Sequence, residues 1–233
     1  MYERAVEDEH YYPRRTALTF VVSRWLQESG TRELVLSRAL NDSDETVRDA
    51  ALEMLATHWP TDPRTLEIVR ARASDDDKWV VRQKALDLLV EHWSERPDTL
   101  PLLRARFHAD RAEPLRSGVM GQLAQHYRDA PDTHRLIHDQ TIEASAATVR
   151  DTALSLLAQH WGPEPRTHRL ILDRATADDA PAPRRTALAL LAKHWRSAPA
   201  THALIFQRAT EDPHEDVRSL AMDLLNDHWS GDP

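Results

Sequence analysis

Six histidines recur at a constant interval of 34 residues and are the first candidates for chemistry in this sequence: His58, His92, His126, His160, His194 and His228. Imidazoles are common zinc ligands, but all ligands of one ion lie about 2.0–2.1 Å from it. Equivalent positions on neighbouring helical repeats are roughly 10 Å apart. The histidines therefore form a row, and we expect no metal or cofactor site. Positive charge is favoured near a helix C-terminus, so we interpret these histidines as structural.

Seven arginines follow the same interval, and an aspartate precedes six of them by six residues. The arginines are Arg14, Arg48, Arg82, Arg116, Arg150, Arg184 and Arg218; the aspartates are Asp8, Asp42, Asp76, Asp110, Asp178 and Asp212, with Ala144 as the exception. We interpret these residues as repeated hydrogen-bonded links between a helix start and an acidic loop, in the same or the next repeat.

The sequence contains no familiar catalytic motif. There is no cysteine, which excludes thiolate nucleophiles and disulfides, and no GxxxxGK[ST] phosphate-binding loop. We therefore expect a protein without enzymatic activity.

A closing aromatic residue marks the end of each repeat and sets the register of the chain. These residues are Trp25, Trp59, Trp93, Tyr127, Trp161, Trp195 and Trp229, and the first repeat is partial. Before each lies a helical pattern that starts at the arginine, as in residues 47–59, with apolar residues on one wide face.

A second, shorter helix is predicted to open each full repeat at a threonine whose hydroxyl caps it. The threonines are Thr31, Thr65, Thr99, Thr133, Thr167 and Thr201. A proline two residues earlier is expected to end the preceding helix in most repeats, at Pro63, Pro97, Pro131, Pro165 and Pro199.

Two short helices cannot bury their apolar faces alone, whereas stacked neighbours can. The sequence therefore predicts an all-α fold, an α-solenoid of about seven 34-residue helical hairpins. It should run over residues 1–233 as a single domain, with repeats ending near 25, 59, 93, 127, 161, 195 and 229.

The formal charge is −8, with 30 basic and 38 acidic residues, which argues against a nucleic-acid partner. No apolar run approaches the roughly 18 residues of a membrane span, and the first residues are not a signal peptide. We expect a cytoplasmic protein without a membrane partner.

The pattern D-x5-R-x2-A-L-x2-L resembles HEAT repeats. Residues 75–100 are similar, more narrowly, to the short HEAT-like arrays at the C-terminal end of bacterial NACHT-type signalling NTPases, with an acidic loop, Val-Arg, Ala-Leu and a closing Trp. The resemblance covers essentially the whole chain. It implies a ligand-sensing or regulatory array, joined to an NTPase module in the same polypeptide.

Function in a solenoid should lie at positions that vary within the repeat frame. On each second helix these are the residues one, five and nine after the arginine, which form a single stripe. The stripe is acidic in repeats 2 and 3, at Asp49, Glu53, Asp87 and Glu91. We predict that it lines the concave face and binds a protein or peptide; the alternative is a solvated face without a partner.

Repeat 4 departs most from the frame. Gly118 and Gly121 interrupt its second helix, and Gln122 replaces an apolar residue. With Gln125 of the stripe, Gly121 marks a hinge or a docking site. Alternatively the repeat has drifted, and Phe107 fills the volume that the glycines lose.

Trp79 is the tryptophan outside the 34-residue register, and we place it in the turn between the two helices of repeat 3. If exposed it would be an interface anchor, and if packed on a neighbouring repeat it would be structural.

The function predicted from these features is a non-catalytic protein-interaction scaffold. A competing hypothesis is a HEAT-like DNA glycosylase, which would need a basic groove and a carboxylate among aromatic residues. A phycobilin-lyase-type HEAT protein is a third, although no chromophore-handling residues stand out. Irregular repeat 4 argues against a designed array.

Overall fold

The computed structural model describes residues 2–229, which contain helices and turns but no strand. The helices are α1 (Tyr2–Glu7), α2 (Tyr11–Trp25), α3 (Ser29–Asn41), α4 (Glu45–His58), α5 (Pro63–Asp75), α6 (Trp79–Trp93), α7 (Thr99–Ala109), α8 (Glu113–His126), α9 (Thr133–Glu143), α10 (Ala147–Trp161), α11 (Pro165–Ala177), α12 (Pro181–His194), α13 (Pro199–Glu211) and α14 (Glu215–Trp229). The predicted all-α class is confirmed.

The chain divides into two compact units, residues 1–122 and 123–233, with the boundary inside α8. In each unit, consecutive helices pair as hairpins, and the second helix of each hairpin packs on the second helix of the next. The second helices α2, α4 and α6 pack in this way in the N-terminal unit, and α10, α12 and α14 in the C-terminal unit. Both units are therefore hairpin stacks of the α-solenoid kind. A single continuous domain over 1–233 stays a prediction.

The core of each unit lies along the second helices. One position in the middle of each is fully buried, at Leu18, Leu52, Leu86 and Met120 in the N-terminal unit and at Leu154 and Leu188 in the C-terminal unit. Burying a side chain of this size stabilises the fold by about 1.5–3 kcal/mol. The strict 34-residue register thus places one large apolar side chain at the centre of each of these hairpins.

The first helices α7 and α9 begin at the predicted Thr99 and Thr133, but most other helix starts differ from those predicted. Second helices begin three residues before the arginine, as at Glu45 of α4, where the Asp44 side chain accepts a hydrogen bond from the Thr46 N–H. In α4 the start was missed because Glu45 and Thr46 are polar and lie outside the apolar stripe. Pro63, Pro165 and Pro199 begin α5, α11 and α13 and do not end the helix before. The first position suits proline because its missing N–H has no helical partner there.

The threonines of the first helices do not cap them as predicted. Thr31 is fully buried, and its hydroxyl donates a hydrogen bond of 2.6 Å to the Trp25 carbonyl; Thr99 does the same to Trp93 at 2.8 Å. The last carbonyls of a helix lack intrahelical donors. In these two hairpins the hydroxyl therefore satisfies the end of the preceding helix rather than the start of its own.

A buried arginine links each of several hairpins to the next. Arg48 of α4 donates from Nε and Nη2 to both carboxylate oxygens of Asp76, at 2.8 and 2.7 Å, and from Nη1 to the Asp42 carbonyl at 2.9 Å. We call this arrangement the arginine clamp. The same two-oxygen contact joins Arg14 to Asp42, Arg82 to Asp110, Arg150 to Asp178 and Arg184 to Asp212. The predicted link is confirmed, and the aspartate belongs to the next hairpin.

The clamp keeps both of its charges inside the protein. Arg48 is 5% exposed and Asp76 is 3% exposed. Burial alone would raise the pKa of Asp76, but the hydrogen bonds from Arg48 and from the Lys78 backbone N–H outweigh it and hold that pKa below its ordinary value. The same holds for Asp42, Asp178 and Asp212. These carboxylates therefore stay ionised against the guanidinium.

Removing one clamp arginine should destabilise the chain strongly. We expect Arg48→Ala to lower the free energy of unfolding by about 3 kcal/mol, because the buried Asp76 carboxylate loses its two-oxygen contact and keeps only Arg72, at 3.2 Å, as a cation. Arg116→Ala is the matched control, since Ala144 stands at the register of the aspartate there. That variant should cost less than about 1 kcal/mol. Urea unfolding followed by circular dichroism measures both; equal losses would contradict the role given to the clamp.

Candidate functional site

The six histidines of the first row lie beside the closing aromatic residues and do not form a cluster. His58 contacts Trp59 with 5.8 Å between ring centroids, and His194 contacts Trp195 at 5.7 Å. Within residues 2–229, no group of three or more histidine or acidic side chains is placed to hold a metal ion. Burial, together with Lys193, lowers the pKa of His194. This shift favours the neutral form of His194.

A second histidine row, which the sequence analysis did not single out, lies on the first helices of the C-terminal unit. His134, His168 and His202 contact Trp161, Trp195 and Trp229, with ring centroids 5.3, 5.1 and 5.4 Å apart. His168 stacks on Trp195 at an interplanar angle of 14°. The recurring Thr-His pair at residues 133–134, 167–168 and 201–202 was the available signal. These contacts assign the three tryptophans to packing.

The acidic stripe of the N-terminal unit gathers around one lysine. Asp49 and Glu53 lie on α4, and Asp87 lies on α6 together with Lys84. The Lys84 Nζ is 3.0 Å from the Glu53 carboxylate. Burial by itself would lower the pKa of Lys84, but Glu53, Asp49 and Asp87 outweigh it and raise that pKa. We call Asp49, Glu53, Lys84 and Asp87 the acidic cluster.

The acidic cluster has more carboxylates than its own cation can neutralise. Burial raises the pKa of Asp49, and the nearby carboxylates of Glu53 and Asp87 act in the same direction, against Lys84 and Arg15. Removing water from the cluster therefore costs free energy unless a further positive charge arrives. Glu91, the fourth acidic residue of the predicted stripe, lies one turn beyond Asp87 on α6 and is exposed.

Two amide side chains fix the position of Asp87. Its Oδ1 accepts hydrogen bonds from Gln83 at 2.8 Å and from Gln122 at 2.7 Å. Gln122 is the polar replacement that marked repeat 4 as irregular. Its side chain reaches from α8 back to the acidic cluster, so the irregularity has a definite structural role within the N-terminal unit.

Gly118 makes room for the same network. A Cβ atom at this position would lie 2.5 Å from the Gln83 Oε1 atom. The Gln83 amide group therefore occupies the volume that the glycine leaves free. Phe107 is buried, but the atoms nearest to the missing side chain of Gly118 belong to Gln83. The suggestion that Phe107 compensates for this glycine is wrong.

The other candidate residues lie apart from this network. Gly121 has open space where a Cβ atom would be, and Gln125 is an exposed residue of the C-terminal unit. Trp79 is the first residue of α6 rather than part of the turn, and 39% of its surface is exposed. Whether these three residues bind a partner stays a prediction.

A groove of about 540 Å³ runs between α2 and α4, next to the acidic cluster. Its lining includes the stripe positions of the first two repeats: Arg15, Thr19, Ser23, Glu53 and Thr57. Val22 and Met54 add an apolar part to the lining. The variable positions of the repeat frame therefore share one concave surface here, and Glu53 belongs to both the groove and the cluster.

Comparison with known families agrees with this architecture. A family model described as HEAT repeats matches residues 1–90 and, in a second overlapping match, residues 33–124. The chain belongs to the HEAT repeat family. HEAT repeats commonly serve as protein-interaction scaffolds. No significant match was found among curated proteins or among solved structures.

Between residues 2 and 229, none of the helices combines the length and the apolar character that crossing a bilayer requires.

The two glycines of the HEAT repeat in α8 should respond differently to alanine. Gly121→Ala meets no atom, and we expect it to raise the free energy of unfolding by up to about 1 kcal/mol through helix propensity. Gly118→Ala gains the same propensity but displaces the Gln83 amide from Asp87, so its net effect should be smaller or destabilising. Urea unfolding of the two variants checks this; a larger gain at Gly118 would contradict the packing described.

Proposed function

We propose that this HEAT repeat chain is a non-catalytic scaffold that binds a basic segment of a protein or peptide along the groove between α2 and α4 and the adjoining acidic cluster. The observation that carries the proposal is the position of Glu53. Its carboxylate lies in the groove wall and at the same time contacts Lys84, whose neighbours include two further carboxylates.

The electrostatics of the cluster favour a cationic partner. Asp49, Glu53 and Asp87 outnumber the cations near them, Lys84 and Arg15, and the pKa of Asp49 is raised mainly by burial. An arginine of a bound segment could donate to two carboxylate oxygens at once, a geometry that lysine cannot match. It would supply the missing positive charge, whereas Lys84 would keep its contact with Glu53. The apolar part of the groove, at Val22 and Met54, would hold the aliphatic portion of the segment.

A nucleic-acid partner fits this surface poorly. Phosphates approaching α4 and α6 would meet Asp49, Glu53, Asp87 and Glu91 and be repelled. Tryptophans that hold histidine side chains, such as Trp195 between His168 and His194, are not free to stack on bases. A glycosylase-type, DNA-binding protein is therefore the alternative hypothesis, and the experiment below tests it directly.

The narrower proposal joins this scaffold to a larger bacterial switch. The similarity of residues 75–100 to arrays of NACHT-type NTPases supports a ligand-sensing role in the cytoplasm, with the NTPase module in the same polypeptide. In such a protein, occupation of the groove would release the NTPase. This version adds a prediction that the scaffold proposal does not need, namely nucleotide hydrolysis that depends on the bound segment.

Neutralising the stripe should weaken binding of an arginine-rich peptide. We expect the combined variant Asp49→Asn, Glu53→Gln, Asp87→Asn, Glu91→Gln to lose at least about tenfold in affinity, corresponding to about 1.4 kcal/mol. Isothermal titration at two salt concentrations measures the affinity, and the difference between the proteins should shrink at high salt.

The control variant removes four exposed acidic residues elsewhere: Glu28→Gln, Glu95→Gln, Asp129→Asn and Glu143→Gln. It has the same net charge as the test variant and should keep the wild-type affinity. An equal loss of affinity in both variants would show that the effect depends on net charge alone and not on the position of the acidic residues. A mobility shift of duplex DNA by the wild-type chain at moderate salt, abolished by neither variant, would favour the nucleic-acid alternative.

A further inference from the structure

Trp195, the residue that follows α12, contacts two histidines that come from different helices. Its ring centroid is 5.1 Å from that of His168 on α11 and 5.7 Å from that of His194 at the end of α12. The His168 ring stacks on the indole at an interplanar angle of 14°, whereas the His194 ring is inclined to it by 62°. Two titratable rings therefore share one indole, and we call them the histidine pair of Trp195.

The hairpin before it has a similar arrangement, whereas the N-terminal unit does not. Trp161 contacts His160 at 5.8 Å and His134 of α9 at 5.3 Å between ring centroids. His134 differs in having a carboxylate close by, since its Nε2 lies 3.7 Å from Glu164. At the same register, the first helices of the N-terminal unit carry Arg32, Leu66 and Leu100. Two units built on one repeat therefore differ in the number of histidines around their closing aromatic residues.

One nitrogen of His168 is buried without a partner. Its Nε2 makes no hydrogen bond to any residue within the range 2–229 and is closed off from water. A neutral imidazole donates from one nitrogen, whereas an imidazolium donates from both. Protonation of His168 therefore requires an N–H at Nε2 that has no acceptor, and a buried donor without an acceptor destabilises the folded state.

The charges around the pair also oppose protonation. Burial lowers the pKa of His168, and in the described part of the chain no charged group on α10, α12 or α13, the helices packed against α11, contributes to that shift. Lys193 lowers the pKa of His194 in addition to burial, and Arg128 acts likewise on His160. An indole face attracts one cation, but the unpaired Nε2 and a second positive ring on the same indole act against it.

We propose that the histidine pair of Trp195 is an acid-responsive switch in the C-terminal unit. When both rings are protonated, below about pH 6, α11 separates from the end of α12, and Trp195 loses its cover. The N-terminal unit keeps its packing over the same pH range. The switch is independent of the partner proposed for the groove.

The direction of the pH dependence follows from proton binding to the folded and the unfolded chain. Above about pH 6.5 the rings of His168 and His194 are neutral in both forms. As the pH falls below that value, the unfolded chain takes up protons more readily, so the folded C-terminal unit loses stability. The arginine clamp does not act in this range, because the pKa values of Asp178 and Asp212 lie below the ordinary value of 3.8.

Hydrogen exchange of the full chain, followed by mass spectrometry, locates the loss of stability. Rates are corrected for the intrinsic pH dependence of exchange. The protection of α11 and α12 should fall by at least about fivefold between about pH 7.5 and pH 5.5. The protection of α5 and α6, a hairpin of the N-terminal unit with a leucine at the register of His168, should change by less than about twofold.

Two substitutions of His168 test the assignment to this ring. His168→Leu introduces the residue that the N-terminal unit has at this register in Leu66 and Leu100. His168→Gln is polar but cannot titrate. Both variants should lose most of the pH dependence of protection in α11 and α12. His214→Leu is the matched control, since His214 is exposed in the turn before α14; it should keep the wild-type dependence.

Three results would overturn the proposal. The first is a wild-type chain in which the protection of α11 and α12 does not change with pH. The second is an equal fall in α5 and α6, which would show a general effect of acid. The third is a wild-type pH dependence in both His168→Leu and His168→Gln.

Discussion

The buried pairing of an arginine with the aspartate of the next hairpin is the interaction on which the rest of this structure depends. Each complete clamp ties three parts together: the first turn of a second helix, the carbonyl that ends its own first helix, and the carboxylate of the next hairpin. A guanidinium has a fixed fork of donors, so these three distances cannot vary independently. The clamp therefore sets the spacing of successive hairpins and explains why the 34-residue register does not slip.

Since a buried charge pair stabilises little relative to apolar packing, its value here lies in specificity. The apolar faces of the second helices are built from similar Leu, Val and Ala residues and would tolerate a shift of one turn. A guanidinium that must meet one carboxylate does not tolerate such a shift. The clamp thus fixes the register, and the leucines at the centre of each second helix contribute most of the stability.

The candidate functional positions are those that take part in neither the clamp nor the core. The stripe after each arginine is free to vary, and in the first two repeats it lines one groove. The acidic cluster beside this groove retains excess negative charge because its three carboxylates outnumber the two nearby cations, Lys84 and Arg15. An interaction surface therefore arises where the repeat supplies charges and leaves them unbalanced.

The repeat frame could be predicted from the sequence because the same residue types recur at the same positions in every copy. Helical hairpins, the arginine–aspartate link and the position of the stripe all follow from residues in a fixed register. Features that depend on one contact could not be predicted. Gly118 has its role only because Gln83 lies against it, and Thr31 bonds a carbonyl that the pattern does not reveal. The start of α4 was missed because Asp44 and its neighbours form a polar turn without periodicity.

A double-mutant cycle on Arg184 and Asp212 tests the clamp most directly. Arg184→Met, Asp212→Asn and the double variant keep similar side-chain volumes, so the cycle isolates the pairing itself from packing. We predict a coupling free energy above about 1 kcal/mol from urea unfolding, with the double variant more stable than the sum of the two single losses would make it. Purely additive losses, with no coupling between the two residues, would contradict the account of how successive hairpins are held in register.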